Sequence, residues 1–279
     1  MLLKGGIAEL VEHVREVCPL PATAQRVVSL CEEPDAHIEQ VAEVVATDAA
    51  LAAEVMKIAN SPLFGGVRKI SDLGRAVMML GFNELKSMAV AMSLLATFRS
   101  KDDAQYQFHD TAVLSATVNR GLVELLEGNR TAAFLCGLLC EIGAMACVAV
   151  DSDGFAELWN QADGDLGLRE ELEIARYGAP TYQVGARLLQ RNGLPADVVT
   201  AVGTPFGSEA HPLLGRTTAL SRILAPIVIE ASDANDDAWL REQLEQVIPL
   251  SATGLNISGV LDVCDLGLQI ATKAIQRAS

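Results

Sequence analysis

The chain has 279 residues, half of them apolar, and a formal charge of −15 from 36 acidic residues against 21 Lys and Arg. That length and apolar share are enough for a substantial buried core. The charge argues against contact with phosphate backbones and against docking on anionic lipid, because both draw their affinity mainly from Lys and Arg, so no direct nucleic-acid partner and no membrane role are expected.

No apolar run reaches the roughly 18 to 20 charge-free residues of a membrane span. Met1 to Gly6 lacks the long apolar core and cleavage site of a signal peptide, so a cytoplasmic protein is expected. The six cysteines, Cys18, Cys31, Cys136, Cys140, Cys147 and Cys264, are scattered without a C-x-x-C pair and read as reduced and buried.

Apolar residues at Ile7, Leu10, Val11, Val14 and Val17 lie along one face and predict a first helix, stopped by Cys18-Pro19-Leu20-Pro21. Pro21 suits the first turn of a second helix running to about Cys31 and ending before Glu33-Pro34. Asp35 is expected to cap a third helix through Val45, and Asp48 a fourth from Ala49 to Ala59. The loop Asn60-Ser61-Pro62-Leu63-Phe64-Gly65-Gly66 sets an aromatic ring between a proline turn and two glycines. It reads as a helix stop with an anchoring Phe, or as a partner or ligand contact made by Asn60, Ser61, Phe64 and Gly65. Ser71 caps a helix through Leu80, Gly81 breaks it, and Asn83 opens a longer one to Phe98. Its methionines, Met88 and Met92, with Met78 and Met79 nearby, read as fillers of core gaps.

The charged stretch from Arg99 to Gln107 marks a boundary between two helical lobes. Helices are then predicted from His109 to Leu126, Thr131 to Val150, Gly154 to Ala162, Leu168 to Tyr177, Thr181 to Gln190 and Pro195 to Val202. Beyond a loop from Thr204 to Pro212, periodicity resumes at Leu213 to Ile229, Trp239 to Val247 and Val260 to Ile275. No stretch alternates with period two for long, so the fold class is all-α. Ala133 to Cys147 is apolar on almost every side and must be a core helix, interrupted only by Cys140-Glu141.

Metal-dependent phosphohydrolysis needs several His and Asp side chains around a divalent ion that lowers the pKa of a bound water. The four histidines, His13, His37, His109 and His211, are isolated, and Asp110 beside His109 reads as a helix cap. Cys136, Cys140 and Cys147 share a helical stripe, but no second cluster of Cys or His accompanies them, so they read as buried apolar residues. Glu141 as a lone base lacks a partner and an orienting group. Nucleophile elbows, phosphate-binding glycine loops and dinucleotide fingerprints are absent. No metal and no cofactor are expected.

Pro19-Leu20-Pro21-Ala22, Asp48-Ala49-Ala50-Leu51, Lys57 to Gly65, Ala76 to Phe82, Ala133 to Gly143 and Leu188 to Pro195 occur together and in order. Over roughly residues 15 to 205 the chain resembles the HDOD family, the HD-related output domains of bacterial signalling proteins. The resemblance implies two packed helical lobes, residues 1–100 and an HD-like lobe of residues 101–208. Residues 209–279 would then add helices to the second lobe or form a homodimer contact. In the related HD phosphohydrolases a core helix carries adjacent His and Asp metal ligands. Here those positions read Cys140-Glu141, and an earlier and a later family histidine fall on Thr111 and Tyr182. Thr and Tyr do not replace imidazole as neutral nitrogen donors. The resemblance therefore implies a non-catalytic signal-transduction module, bacterial and cytoplasmic, that binds a protein partner in a signalling pathway or a small effector without turnover. The rival is a divergent metal-dependent phosphohydrolase or phosphodiesterase acting on a nucleotide signal. A third reading keeps the old cleft as a site for a nucleotide effector.

Overall fold

The computed structural model describes residues 6–60, 70–98, 107–234, 236–250 and 253–276. These form sixteen helices and, among the described residues, no strand. In chain order they begin with α1 (Gly6–Val17), α2 (Ala22–Glu32), α3 (Ile38–Ala46), α4 (Ala49–Ala59), α5 (Leu73–Leu80) and α6 (Phe82–Thr97). Then come α7 (Phe108–Glu124), α8 (Arg130–Leu138), α9 (Ile142–Val150), α10 (Ser152–Ala162) and α11 (Leu166–Tyr177). The last are α12 (Thr181–Arg191), α13 (Ala196–Val202), α14 (Leu213–Ala234), α15 (Asp237–Leu250) and α16 (Ile257–Gln276). They divide into two compact units, Cys18–Phe98 and a larger one of Met1–Val17 with Arg99–Ser279.

In the smaller unit, Asp48 caps α4 as its position suggests, its Oδ1 accepting from the amides of Ala50 and Leu51 at 3.0 Å each. Two other caps differ from expectation. The α3 start is set by His37, whose amide donates to the Gln40 side chain at 3.1 Å, and not by Asp35. The α5 start is set by Asp72, which accepts from the Arg75 amide at 2.8 Å, and not by Ser71. At α5 the capping side chain lies one residue before the first helical turn, where it reaches a free amide, and at α3 the Gln40 side chain reaches back from within the first turn to the amide of the residue before it. Met88 is buried as a core filler should be, whereas Met78 is 64% exposed.

The larger unit is built around α7. Leu114, Val118 and Leu122 of α7 pack with Leu220, Leu224 and Val228 of α14, Leu240 and Leu244 of α15, and Val260 of α16. Residues beyond 209 thus complete the core of this unit. α1 belongs here too, with Leu10, Val11 and Val14 buried and α9, α11 and α12 as its neighbours. A boundary at residue 100 alone leaves α1 with the first lobe. Its apolar face is instead covered by helices that follow it by more than a hundred residues, a pairing that local periodicity does not encode.

The apolar stretch from Thr131 to Val150 is two helices. α8 ends at Leu138, where the Cys140 amide bonds the Gly137 carbonyl at 3.4 Å in a tightened turn, and α9 starts at Ile142. Glu141 between them has φ −102° and ψ 7°, outside the α-helical well. By length and composition, Arg130–Val150 could cross a membrane, with a mean hydropathy of 2.2, but 83% of that window is buried inside the fold. Gly143, one residue into α9, meets α12 so closely that a Cβ there would collide with the Thr181 carbonyl oxygen.

Candidate functional site: a polar break in the core

The break at Cys140-Glu141 turns two adjacent side chains into two different networks. Cys140, 2% exposed, shares a hydrogen bond with Ser115 of α7, and Ser115 in turn donates to the Ser221 carbonyl of α14 at 3.1 Å. Burial, reinforced by the Glu141 charge, pushes the Cys140 thiol up to about 12 against the opposing pull of Ser115 and Arg222. It is therefore a protonated thiol at neutral pH and a poor nucleophile. A second buried link lies beside it. Asn119 of α7 donates to the Ala133 carbonyl and to the Thr218 hydroxyl, both at 2.9 Å.

Glu141 faces the other way. Its carboxylate accepts from Arg169 of α11 at 3.5 Å, and the same guanidinium donates to Glu173 at 2.8 Å. Arg169 also stacks on the Trp159 ring, 4.7 Å from its centroid. Burial alone would lower the Arg169 pKa, but Glu141 and Glu173 outweigh it and hold the charge more firmly than usual. Glu173, 3% exposed, goes on to accept from the Thr181 amide at 2.7 Å and the Thr181 hydroxyl at 3.0 Å. Pro180 at the start of α12 offers no side-chain acceptor, so Glu173 caps that helix from outside.

Tyr182 lies on the first turn of α12 and donates to Glu170 at 2.9 Å. Its ring carries the Arg222 guanidinium, 4.9 Å from the centroid. Burial and the Glu170 bond push the phenol up to about 12. Arg222 is half-buried and has no carboxylate partner among the described residues. Thr111 is buried on α7 one turn before Ser115. Glu141 and Tyr182 are thus joined through α11, whereas Cys140 belongs to the separate network of Ser115, with Thr111 one turn earlier on α7. Asn60 belongs to the smaller unit, where its side chain donates to the Met56 and Ile70 carbonyls at 2.8 Å and accepts from the Ile70 amide at 2.7 Å. Ser61, Phe64 and Gly65 lie outside the described residues.

A divalent ion needs several anionic or imidazole donors aimed at one point. Here one carboxylate is engaged by a guanidinium, the thiol is protonated, the phenol donates to Glu170, and Thr111 offers only a hydroxyl. Among the described residues no group of three His, Cys, Asp or Glu could hold a metal ion. The donor set does not fit the metal of the HD phosphohydrolases. Arg169, Glu173, Arg222 and Ser115 were not singled out from the sequence. Only the Arg169–Glu173 pair, at i,i+4 on one helix, leaves a local signal.

A family model described as HDOD domain matches residues 17–204. The chain belongs to the HDOD family. This HDOD chain is similar to the crystal structure of a protein of Shewanella amazonensis SB2B named a candidate phosphohydrolase. The two are 22% identical, covering 94% of this chain and 97% of that one, with a TM-score of 0.70. It is also similar to a protein of Marinobacter aquaeolei VT8 named a candidate signal transduction protein, at 20% identity and a TM-score of 0.57, covering 95% of this chain and 60% of that one. An uncharacterized protein of Treponema pallidum (strain Nichols) is 22% identical over 223 residues, 77% of this chain. The HDOD chain spans only 43% of that relative's length. At these identities the likeness is one of fold.

Proposed function

We propose that the chain is a non-catalytic regulatory module, binding a protein partner or a small effector without turnover. The observation that carries this reading is the state of the former ligand positions. Glu141 is committed to Arg169, Cys140 is a protonated thiol bonded to Ser115, and Tyr182 is bonded to Glu170. Each group already has an internal partner, and moving any of them to coordinate an ion breaks a buried contact. The name of the Marinobacter relative agrees with a signalling role. Metal analysis of the purified chain, with hydrolysis assays on nucleotides and cyclic dinucleotides in Mn, Mg and Fe, tests the reading. Background turnover and substoichiometric metal are expected. Stoichiometric metal with turnover that dies in Glu141→Ala overturns it.

The rival reading, a divergent phosphohydrolase, draws on the name of the Shewanella relative and would be established by that second outcome. An effector with an anionic group is favoured by Arg222, a half-buried cation held on Tyr182 without a carboxylate partner among the described residues. Calorimetric titration with a nucleotide panel reads this directly, and heats that are absent in Arg222→Ala assign the contact.

A further inference from the structure

α11 is attached to the larger unit differently from its neighbours. Of its twelve residues only Glu173 and Tyr177 are buried, whereas Leu166, Leu168 and Ile174 are 50%, 36% and 45% exposed. In α9, by contrast, seven of nine residues are buried. What ties α11 down is mostly polar. Arg169 reaches Glu141, Glu173 reaches Thr181, and Glu170 accepts from Tyr182. Arg176 donates to Asp151 at 2.6 and 3.1 Å, and the Tyr177 hydroxyl donates to Asp151 at 3.2 Å. Left-handed residues stand at both ends, Asp163 (φ 43°) and Gly164 (φ 83°) before it and Gly178 (φ 78°) after it.

Buried apolar area is the main source of cohesion between elements, and buried ion pairs return little beyond their desolvation cost. A helix held mainly by polar links and the Arg169–Trp159 stack, with Tyr177 its one fully buried ring, therefore sits at the low end of the local stability range. We propose that α11 is a strap, latched across the Cys140-Glu141 break, that opens as a unit while the α7–α14–α15–α16 core stays folded. Opening uncovers Glu141, Thr181 and Tyr182 together. The proposal is independent of whether the chain has catalytic activity.

Cys147 reports the opening. It is fully buried in α9, where the charges of Glu173 and Arg169 on α11 act on it and it acts in turn on Tyr177 of the same helix. Cys136 is equally buried but is bonded to Thr218 of α14, away from α11. The test is pulsed alkylation of the full chain across a urea series, with each thiol read by peptide mass spectrometry. The half-exposed Cys18 and Cys31 should label first. Cys147 should follow, about tenfold or more faster than Cys136 without urea and with a weaker urea dependence, as sub-global opening requires. Arg169→Met, which leaves the buried Glu141 and Glu173 carboxylates without their cation, should speed Cys147 about a hundredfold or more and leave Cys136 unchanged. Tyr182→Phe, which removes the Glu170 bond and leaves the ion pairs of α11 in place, should act in the same direction with a smaller effect. Equal rates and equal urea dependence for Cys147 and Cys136 in the unmodified chain overturn the strap, as does a variant that speeds both thiols alike.

Discussion

Glu173→Ala should be among the most damaging single changes in the larger unit, although it removes only one carboxylate. That carboxylate has three partners, Arg169 at 2.8 Å and the Thr181 amide and hydroxyl at 2.7 and 3.0 Å, and its side chain is only 4% exposed. Removing one member of a buried pair costs about 3–5 kcal/mol. Arg169 keeps Glu141 at 3.5 Å and the Trp159 ring, so the lower end, about 3 kcal/mol, applies to the pair. The orphaned Thr181 amide at the start of α12 adds about 1 kcal/mol. A total of about 4 kcal/mol corresponds to a fall in Tm of roughly 8–16 °C for a domain of this size. Glu173→Gln keeps an acceptor for Thr181 and should lose about half as much. Urea denaturation at pH 7, checked by calorimetry, measures both variants. A loss under about 1 kcal/mol for Ala, or a Gln variant as unstable as Ala, would refute the argument that Glu173 joins the ion pair to the α12 cap.

Asp151 gives the pH dependence. Burial alone would raise its carboxyl pKa, but the Arg176 bond and charge, helped by Tyr177, hold it below its ordinary value of 3.8. Its contribution is therefore complete above the unfolded value of about 4 and fades as pH falls through the lower folded value. Asp151→Asn should be about 1–3 kcal/mol less stable at pH 7, with its stability curve converging on that of the parent as pH falls through the lowered folded value. A constant gap from pH 7 to pH 2 counts against the pairing. Gly143→Ala should destabilise by at least about 2 kcal/mol, because the obstacle to its Cβ is the Thr181 backbone, which cannot rotate away. Chemical denaturation of that variant should show a lower midpoint with an unchanged slope.

The helical class and most helix positions were legible because apolar spacing is a local signal. α1 is an example, with Leu10, Val11 and Val14 buried as their periodicity requires. Interruptions were less legible. The stretch Ala133 to Cys147 is apolar all round, so no periodicity reveals that it stops and restarts at Glu141. The positions that the resemblance assigns to the family's ligands, Thr111, Cys140, Glu141 and Tyr182, could be named from the sequence, but their present partners could not. Glu141 meets Arg169 28 residues away, and Ser115 meets Ser221 106 residues away. Such pairings depend on how helices cross. Only a contact within one helix, such as Arg169 with Glu173, leaves a trace in spacing.

The geometry of the break also bears on what rebuilding a metal site would take. Donors for one ion must converge, and in the existing backbone Cys140 faces Ser115 and α14 while Glu141 faces Arg169 and α11. Placing His at 140 and Asp at 141 would restore the residue types of the resemblance without their convergence. The shorter Asp would still stand near the Arg169 guanidinium, a permanent cation with strong preference for carboxylate. Removing Arg169 would free the carboxylate but leave Glu173 without its ion-pair partner and loosen α11. The residues around the break are therefore coupled. A change that favours coordination at Glu141 removes a contact holding α11 and the cap of α12, so gain of a metal and loss of the latch are linked by the same guanidinium.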